Sequence, residues 1–242
     1  MNTEELLQWK EEGLTLREIS EQTGINYYTL RSRYLASNIE FKRGQTNWNL
    51  DGIFNELDIN GQYAIGFLAA DGYIDRRTVC VYVHEKDIEL IYRISVALGV
   101  YEPPVHYRVN TLKSRQTGLI IGSVELVKYL SNHYGFQPQK SRTLPFPRHL
   151  VNPLPFLRGF FDGDGHIGNS CTFTVGSYDF AIGLLDWINK NYGYTPNIQM
   201  VGMNKDVYNI HFRKKHERFI RDLFSYPGLN RKTEAFLKYL PN

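Results

Sequence analysis

The sequence predicts an α+β chain: two pseudo-symmetric αββαββα halves preceded by a small all-α unit. Three observations carry this. The run Ala64-Ile65-Gly66-Phe67-Leu68-Ala69-Ala70-Asp71-Gly72 returns 93 residues later as Leu157-Arg158-Gly159-Phe160-Phe161-Asp162-Gly163-Asp164-Gly165. Asp87 and Asp179 open helical patterns at nearly the same offset from those runs, so the duplication extends beyond them. Residues 1–40 form a separate compositional unit with three short helical patterns.

Taken in order, Glu4–Glu12 reads as a helix, Gly13-Leu14 as a break, Thr15–Thr23 as a second helix and Asn26–Ala36 as a third after a turn at Gly24. Thr15 stands three residues before Glu18, a capping-box spacing, and Asn26 is a good N-cap. Leu16, Ile19, Ile25, Leu30 and Leu35 supply the contacts of a three-helix unit. Residues 41–57 read as a polar connector, either a plain linker or a strand of chain lying on a partner. The first repeat (58–150) then shows a motif helix at about 60–71, a hairpin region with alternation over Thr78–Val83, a helix from Asp87, strands at Val105–Val109 and Gly118–Ile121, and a helix at Val124–His133. The second (151–242) follows suit: a motif helix to Asp164, a strand at Cys171–Val175, a helix capped by Asp179, strands at Ile198–Val201 and Val207–Phe212, and a helix at His216–Phe224.

The two runs carry chemistry. Gly66 and Ala70 share a helical face, as do Gly159 and Gly163, and small residues at that spacing let two backbones approach closely. Gly72 and Gly165 suit a left-handed residue ending each helix. Helices packed in this way bring Asp71 and Asp164 together at their C-terminal, negative ends, where two carboxylates repel and a divalent cation relieves the conflict. An EF-hand loop at Asp162-Gly163-Asp164-Gly165 fits poorly, because His166, Ile167 and Phe173 stand where ligands and glycine belong. Asp162, matched by Ala69 in the first run, reads as a polar helix residue rather than a ligand.

With 42% hydrophobic and 14% aromatic residues the chain is expected to fold around a large core. No apolar run reaches membrane-spanning length and the start is not a signal peptide, so an intracellular protein with no membrane partner is expected. Cys80 and Cys171 fall in corresponding strands and read as reduced core thiols. The net charge of +3 is unevenly placed. Lys and Arg cluster over 104–149 and 205–242, the same relative place in each repeat, interleaved with Tyr and His in the manner of a phosphate-facing surface.

The paired runs resemble the motifs of the LAGLIDADG homing endonucleases, over roughly residues 58–240. The resemblance implies a monomeric, two-motif nuclease whose saddle binds a long, non-palindromic DNA duplex. It implies metal held by Asp71 and Asp164 with the main chain at Ala70 and Gly163, Mg²⁺ being the expected ion and Mn²⁺ or Ca²⁺ substitutes. Lys140 and Lys232, each in a similar signature (Lys140-Ser141-Arg142-Thr143 and Arg231-Lys232-Thr233), are expected in the active site as catalytic residues beside the aspartates. DNA contacts are expected from Arg76, Arg77, Arg108, Lys113, Arg115, Gln199, Asn204, Lys205, His211 and Arg213. The first 40 residues resemble a helix-turn-helix module that would present Tyr27, Tyr28, Thr29, Arg31 and Arg33 to the major groove, with Lys42 and Arg43 on phosphates. Acids outnumber bases in that unit, which counts against strong DNA affinity on its own. The alternatives are a regulator that kept the fold and lost cleavage, or an intron RNA maturase. The resemblance places the protein in a bacterial or phage setting, with an organelle as the other option.

Overall fold

The computed structural model describes residues 3–12, 14, 16–26, 29–30, 33, 37, 50–99, 103, 105–109, 114–202 and 206–239. The chain divides into two compact units, residues 1–47 and 48–242. In the first, α1 (Thr3–Glu11) and α2 (Leu16–Thr23) precede Gly24, whose φ of +69° makes the turn. Ile19 and Leu30 are fully buried, with Trp9, Leu14 and Ile25 packed around them. Thr29 and Arg33 are exposed. Tyr27, Tyr28, Arg31, Lys42, Arg43 and the Thr15 cap lie outside the described residues.

The second unit holds the duplication. After a single helical turn, α3 (Asp51–Phe54), come α4 (Ile59–Asp71), β1 (Tyr73–Ile74), β2 (Thr78–His84), α5 (Ile88–Ala97), β3 (His106–Val109), β4 (Arg115–Gly122) and α6 (Val124–Tyr134). The same order recurs in α7 (Leu154–Asp164), β5 (Gly165–Ile167), β6 (Cys171–Val175), α8 (Tyr178–Tyr192), β7 (Asn197–Val201), β8 (Val207–Phe212) and α9 (Glu217–Phe224). An additional helix, α10 (Asn230–Tyr239), follows. Each half contributes one antiparallel sheet, ordered β1-β2-β4-β3 and β5-β6-β8-β7. Among the described residues no helix is long and apolar enough to cross a membrane.

Alternation decides how each sheet is oriented. Val79, Val81, Val83, Leu119 and Ile121 are buried against helices, while Cys80, Tyr82, His84, Gln116 and Arg108 line the other face. In the second sheet Cys171, Phe173, Val175, Ile210 and Phe212 face inward, and Asn197, Gln199, Asn209 and His211 are registered on the polar face. Helices α4 and α7 are apolar almost all round and sit in the middle of one continuous core. They meet backbone to backbone. A Cβ added at Gly66 would lie 1.9 Å from the Phe156 carbonyl oxygen, and one at Gly159 would lie 2.0 Å from that of Tyr63. Asp58 caps α4 by accepting a hydrogen bond from Gly61 N.

Several expectations need correction. Gly72 and Gly165 are extended (φ −75° and −90°), because the chain runs straight from each motif helix into a strand. Their lack of a side chain answers a close approach: a Cβ at Gly72 would stand 2.4 Å from Leu68 O. Asp87 makes no side-chain cap; His84 Nδ1 accepts from Lys86 N at the preceding 3₁₀ turn instead. Ser177, not Asp179, caps α8 by accepting from Phe180 N. Cys80 stands half-buried on the polar face, whereas Cys171 is in the core; both are free. Part of the expected connector belongs to the second unit, since Leu50 and Ile53 are buried in its core and Phe54 packs on Tyr129 at 4.5 Å.

The α4–α7 contact leaves no room for a methyl group in rigid backbone. Gly159→Ala is expected to cost about 3 kcal/mol and to lower the thermal midpoint by roughly 6–12 °C. Calorimetry or circular dichroism melting checks this.

Candidate active site

Packing at Gly66 and Gly159 carries through to the helix ends. A Cβ at Gly163 would lie 2.4 Å from the Ala70 methyl and 3.2 Å from Asp71 Oδ2, so the Asp71 carboxylate sits against the residue preceding Asp164. The two acids are therefore neighbours at the rim of the helix pair. Burial raises the Asp71 carboxyl above its ordinary value, with Lys232, Lys140 and Arg231 pulling it back. Asp164 is pushed up to about 6, by burial first and then by the charge of Asp71.

Each helix end has a lysine behind it. Lys140, in the 3₁₀ turn Lys140–Arg142, is buried and donates to Gly72 O at 2.6 Å and Ala70 O at 3.4 Å. Lys232, in the first turn of α10, is buried and donates to Phe161 O (2.6 Å), Asp162 O (2.8 Å), Gly165 O (2.7 Å) and Gly163 O (3.4 Å). Both ammoniums direct their hydrogen bonds at carbonyl oxygens, the groups a helix C-terminus leaves unsatisfied. Desolvation lowers both amines; Lys232 falls to about 8, with Asp162 the largest opposing influence. Gln139, just before Lys140, adopts a left-handed φ of +63°, which fixes the turn that carries the lysine.

The two lysine segments also bridge the halves. Arg231 pairs with Asp87 at 3.2 Å, and Asn230 donates to Glu89. On the other side Ser141 O comes so near Gly176 that a Cβ there would be 2.5 Å away. Arg142 pairs with Asp206 at 2.6 Å. Sequence reasoning missed these contacts.

The expected DNA-facing residues distribute as follows. Arg108 donates to Gln116 and lies over the Tyr82 ring at 3.5 Å, on the polar face of the first sheet. Arg76 and Arg77 are exposed in the turn before β2, and Arg115 sits at the start of β4 within 3.8 Å of Glu85. Gln199, His211 and Arg213 line an open basin of about 680 Å³ together with Asn169, Ser170, Asn197, Lys214 and Lys215. Thr172 Oγ1 orients His211 Nδ1 at 3.1 Å. Lys113, Asn204 and Lys205 lie outside the described residues. Asn169, Ser170 and Asn197 were not anticipated; a polar residue in register with His211 is the signal that marks Asn197, whereas Asn169 and Ser170 sit in the turn between β5 and β6.

No protein-family model matches the chain, and no curated protein matches its sequence. Solved structures do match. The homing endonuclease I-WcaI bound to its DNA recognition sequence is 17% identical and superposes with a TM-score of 0.56, over 82% of this chain and 91% of that one. I-DmoI in complex with DNA and Ca is 16% identical, with a TM-score of 0.52 over 78% and 99%. The fold is that of the LAGLIDADG homing endonucleases.

Within the LAGLIDADG fold, Asp71 and Asp164 occupy the ends of the paired motif helices. Among the described residues no group of three or more His, Cys, Asp or Glu is placed so that it could hold a metal ion. Because the folded state holds the Asp164 proton up to about pH 6 against an ordinary value of 3.8, it binds more protons than the unfolded chain across that window. Stability of the protein therefore falls as pH rises from about 4 to 6 on account of this group. In EDTA, Asp164→Asn should raise the melting temperature at about pH 7 and above, with the gain vanishing towards pH 4. A gain independent of pH would contradict the raised Asp164 carboxyl.

Proposed function

We propose that the protein is a site-specific, divalent-metal-dependent endonuclease that cuts both strands of duplex DNA. The observation that carries this reading is the pair of adjacent aspartates at the rim of the helix pair, each with a buried lysine donating to the carbonyls of its helix end. The donors suit a hard cation: two carboxylates whose mutual repulsion it would relieve, and the carbonyls of Ala70 and Gly163, whose long lysine contacts leave a lone pair open. Mg²⁺ fits best, since it takes one or two carboxylates and fills its remaining positions with water and phosphate oxygens. When bound, such an ion supplies Lewis-acid stabilisation and lowers the pKa of coordinated water.

The chain's own residues do the rest. Asp71 and Asp164, one from each half, set one acid towards each strand of a duplex lying across the pseudo-twofold axis. Lys140 and Lys232 keep positive charge within reach of the charge that develops on a scissile phosphate. Arg108, Arg115, Arg213, Lys214 and Lys215 neutralise backbone phosphates, and Gln199, His211 and Asn197 present hydrogen-bonding groups suited to base edges. Because the polar faces differ in sequence between halves, the preferred site is non-palindromic. I-WcaI and I-DmoI, two of the structural neighbours, were captured with DNA, which supports the choice of substrate. Residues 1–40 would extend the footprint on one flank through a helix-turn-helix, with Arg33 on DNA.

With Mg²⁺ and a plasmid carrying the source locus, the protein is expected to produce linear DNA. Asp71→Asn and Asp164→Asn should each slow double-strand cleavage about 100-fold or more while leaving binding within a few-fold in gel shifts. The footprint of Arg33→Ala should shorten on one flank. Tight binding by the unsubstituted protein with no cuts in either strand would identify a DNA-binding regulator instead.

A further inference from the structure

Helix α7 buries two opposite charges that the proposed chemistry does not use. Arg158 is 0% exposed and Asp162 is 2% exposed, one helical turn apart in an otherwise apolar helix. Burying such a pair seldom adds net stability, and its best-attested use is to fix register. The contacts show what is fixed. Asp162 Oδ2 accepts from Tyr63 OH on α4 (2.7 Å), from Leu229 N (2.7 Å) and from Arg158 Nε (3.4 Å). Arg158 Nη2 donates to Thr233 Oγ1 at 2.9 Å. Leu229 and Thr233 bracket Lys232, and Leu229 O accepts from the amides of both Lys232 and Thr233. The first turn of α10 is thus gripped on both sides of the lysine. Gly228 passes so close that a Cβ there would lie 2.0 Å from Arg158 Nε and 2.4 Å from Asp162 Oδ2.

At the matching positions the other half carries no such charged pair. Ile65 and Ala69 stand where Arg158 and Asp162 stand in the second motif, and Lys140 rests on the strained turn after Gln139. It reaches two carbonyls where Lys232 reaches four.

We infer that Arg158, Asp162 and Tyr63 are positioning residues for Lys232, an ionic lock that serves one half of the site and not the other. Breaking it frees Lys232 from the end of α7 and leaves Lys140 in place. The placement of Lys232 stands on geometry alone; the consequence for strand cleavage rests on the nuclease reading above.

The test uses the full-length protein. Reductive methylation with formaldehyde and cyanoborohydride, read by peptide mass spectrometry, reports the accessibility of each lysine. In the unsubstituted protein Lys140 and Lys232 are protected relative to exposed Lys214. Replacing both charges with apolar side chains (Arg158→Met with Asp162→Leu) should speed labelling of Lys232 about tenfold while Lys140 is unchanged. Thr233→Val and Tyr63→Phe, milder changes that each remove one hydroxyl (that of Thr233 accepts from Arg158 Nη2 and donates to Leu229 O), should move Lys232 in the same direction by about two- to threefold and carry the test if the double variant does not fold. Unchanged protection of Lys232 in a folded variant, or equal loss at both lysines, would overturn the lock.

With DNA, the variants should accumulate nicked circles, one strand slowed about tenfold and the other near normal. Equal slowing of both strands would overturn the half-site asymmetry. If the unsubstituted protein cuts nothing, the nuclease reading fails, and the labelling still decides the lock.

Discussion

Backbone contact between α4 and α7 at Gly66 and Gly159 sets the other distances at the site. Helices that keep their side chains at the crossing stay 8–10 Å apart. Glycine removes that spacer, and the carbonyls of Phe156 and Tyr63 occupy the space a Cβ would need. Once the axes are this close, the ends of both helices share one rim, and the last residue of each is an aspartate. The sheets are carried along, since the chain passes from each motif helix into a strand at an extended glycine, Gly72 or Gly165.

That closeness creates an electrostatic conflict. Two carboxylates sit beside each other at the negative ends of two helix dipoles, and burial adds to their difficulty in ionising. Lys140 and Lys232 answer part of it by satisfying the terminal carbonyls of their own halves. The hydrogen bonds found for both ammoniums go to main-chain carbonyls rather than to the two carboxylates. The structure thus sets positive charge beside the acids, where it partly offsets the penalty on their ionisation.

Much of this was legible because it is local or periodic. The small-residue spacing, the terminal Asp-Gly and the alternation in β2 and β8 are short-range patterns, and each produced the expected element. The lysines could be placed from a repeated signature, although not their carbonyl partners. What escaped has a common cause. Asp162 read as an idle polar residue because its partners, Tyr63 and Leu229, lie 99 and 67 residues away in the chain. Helix α10 escaped because its apolar stripe is only Phe236 and Tyr239, with Lys232 buried where a hydrophobe would have announced a helix. At Asp87 and Asp179 position, not residue type, decides which oxygen reaches the free amides; Ser177 is in place and Asp179 is two residues too far in. In Asp87 the carboxylate was already committed to Arg231 across the half boundary.

The measurement that bears most directly on the account is an anomalous difference map from crystals of the protein with duplex DNA and Ca²⁺. The account predicts a peak at roughly 2.3–2.6 Å from carboxylate oxygens of both Asp71 and Asp164. A cation seated elsewhere, or aspartates that turn away from each other with no peak between them, would contradict it.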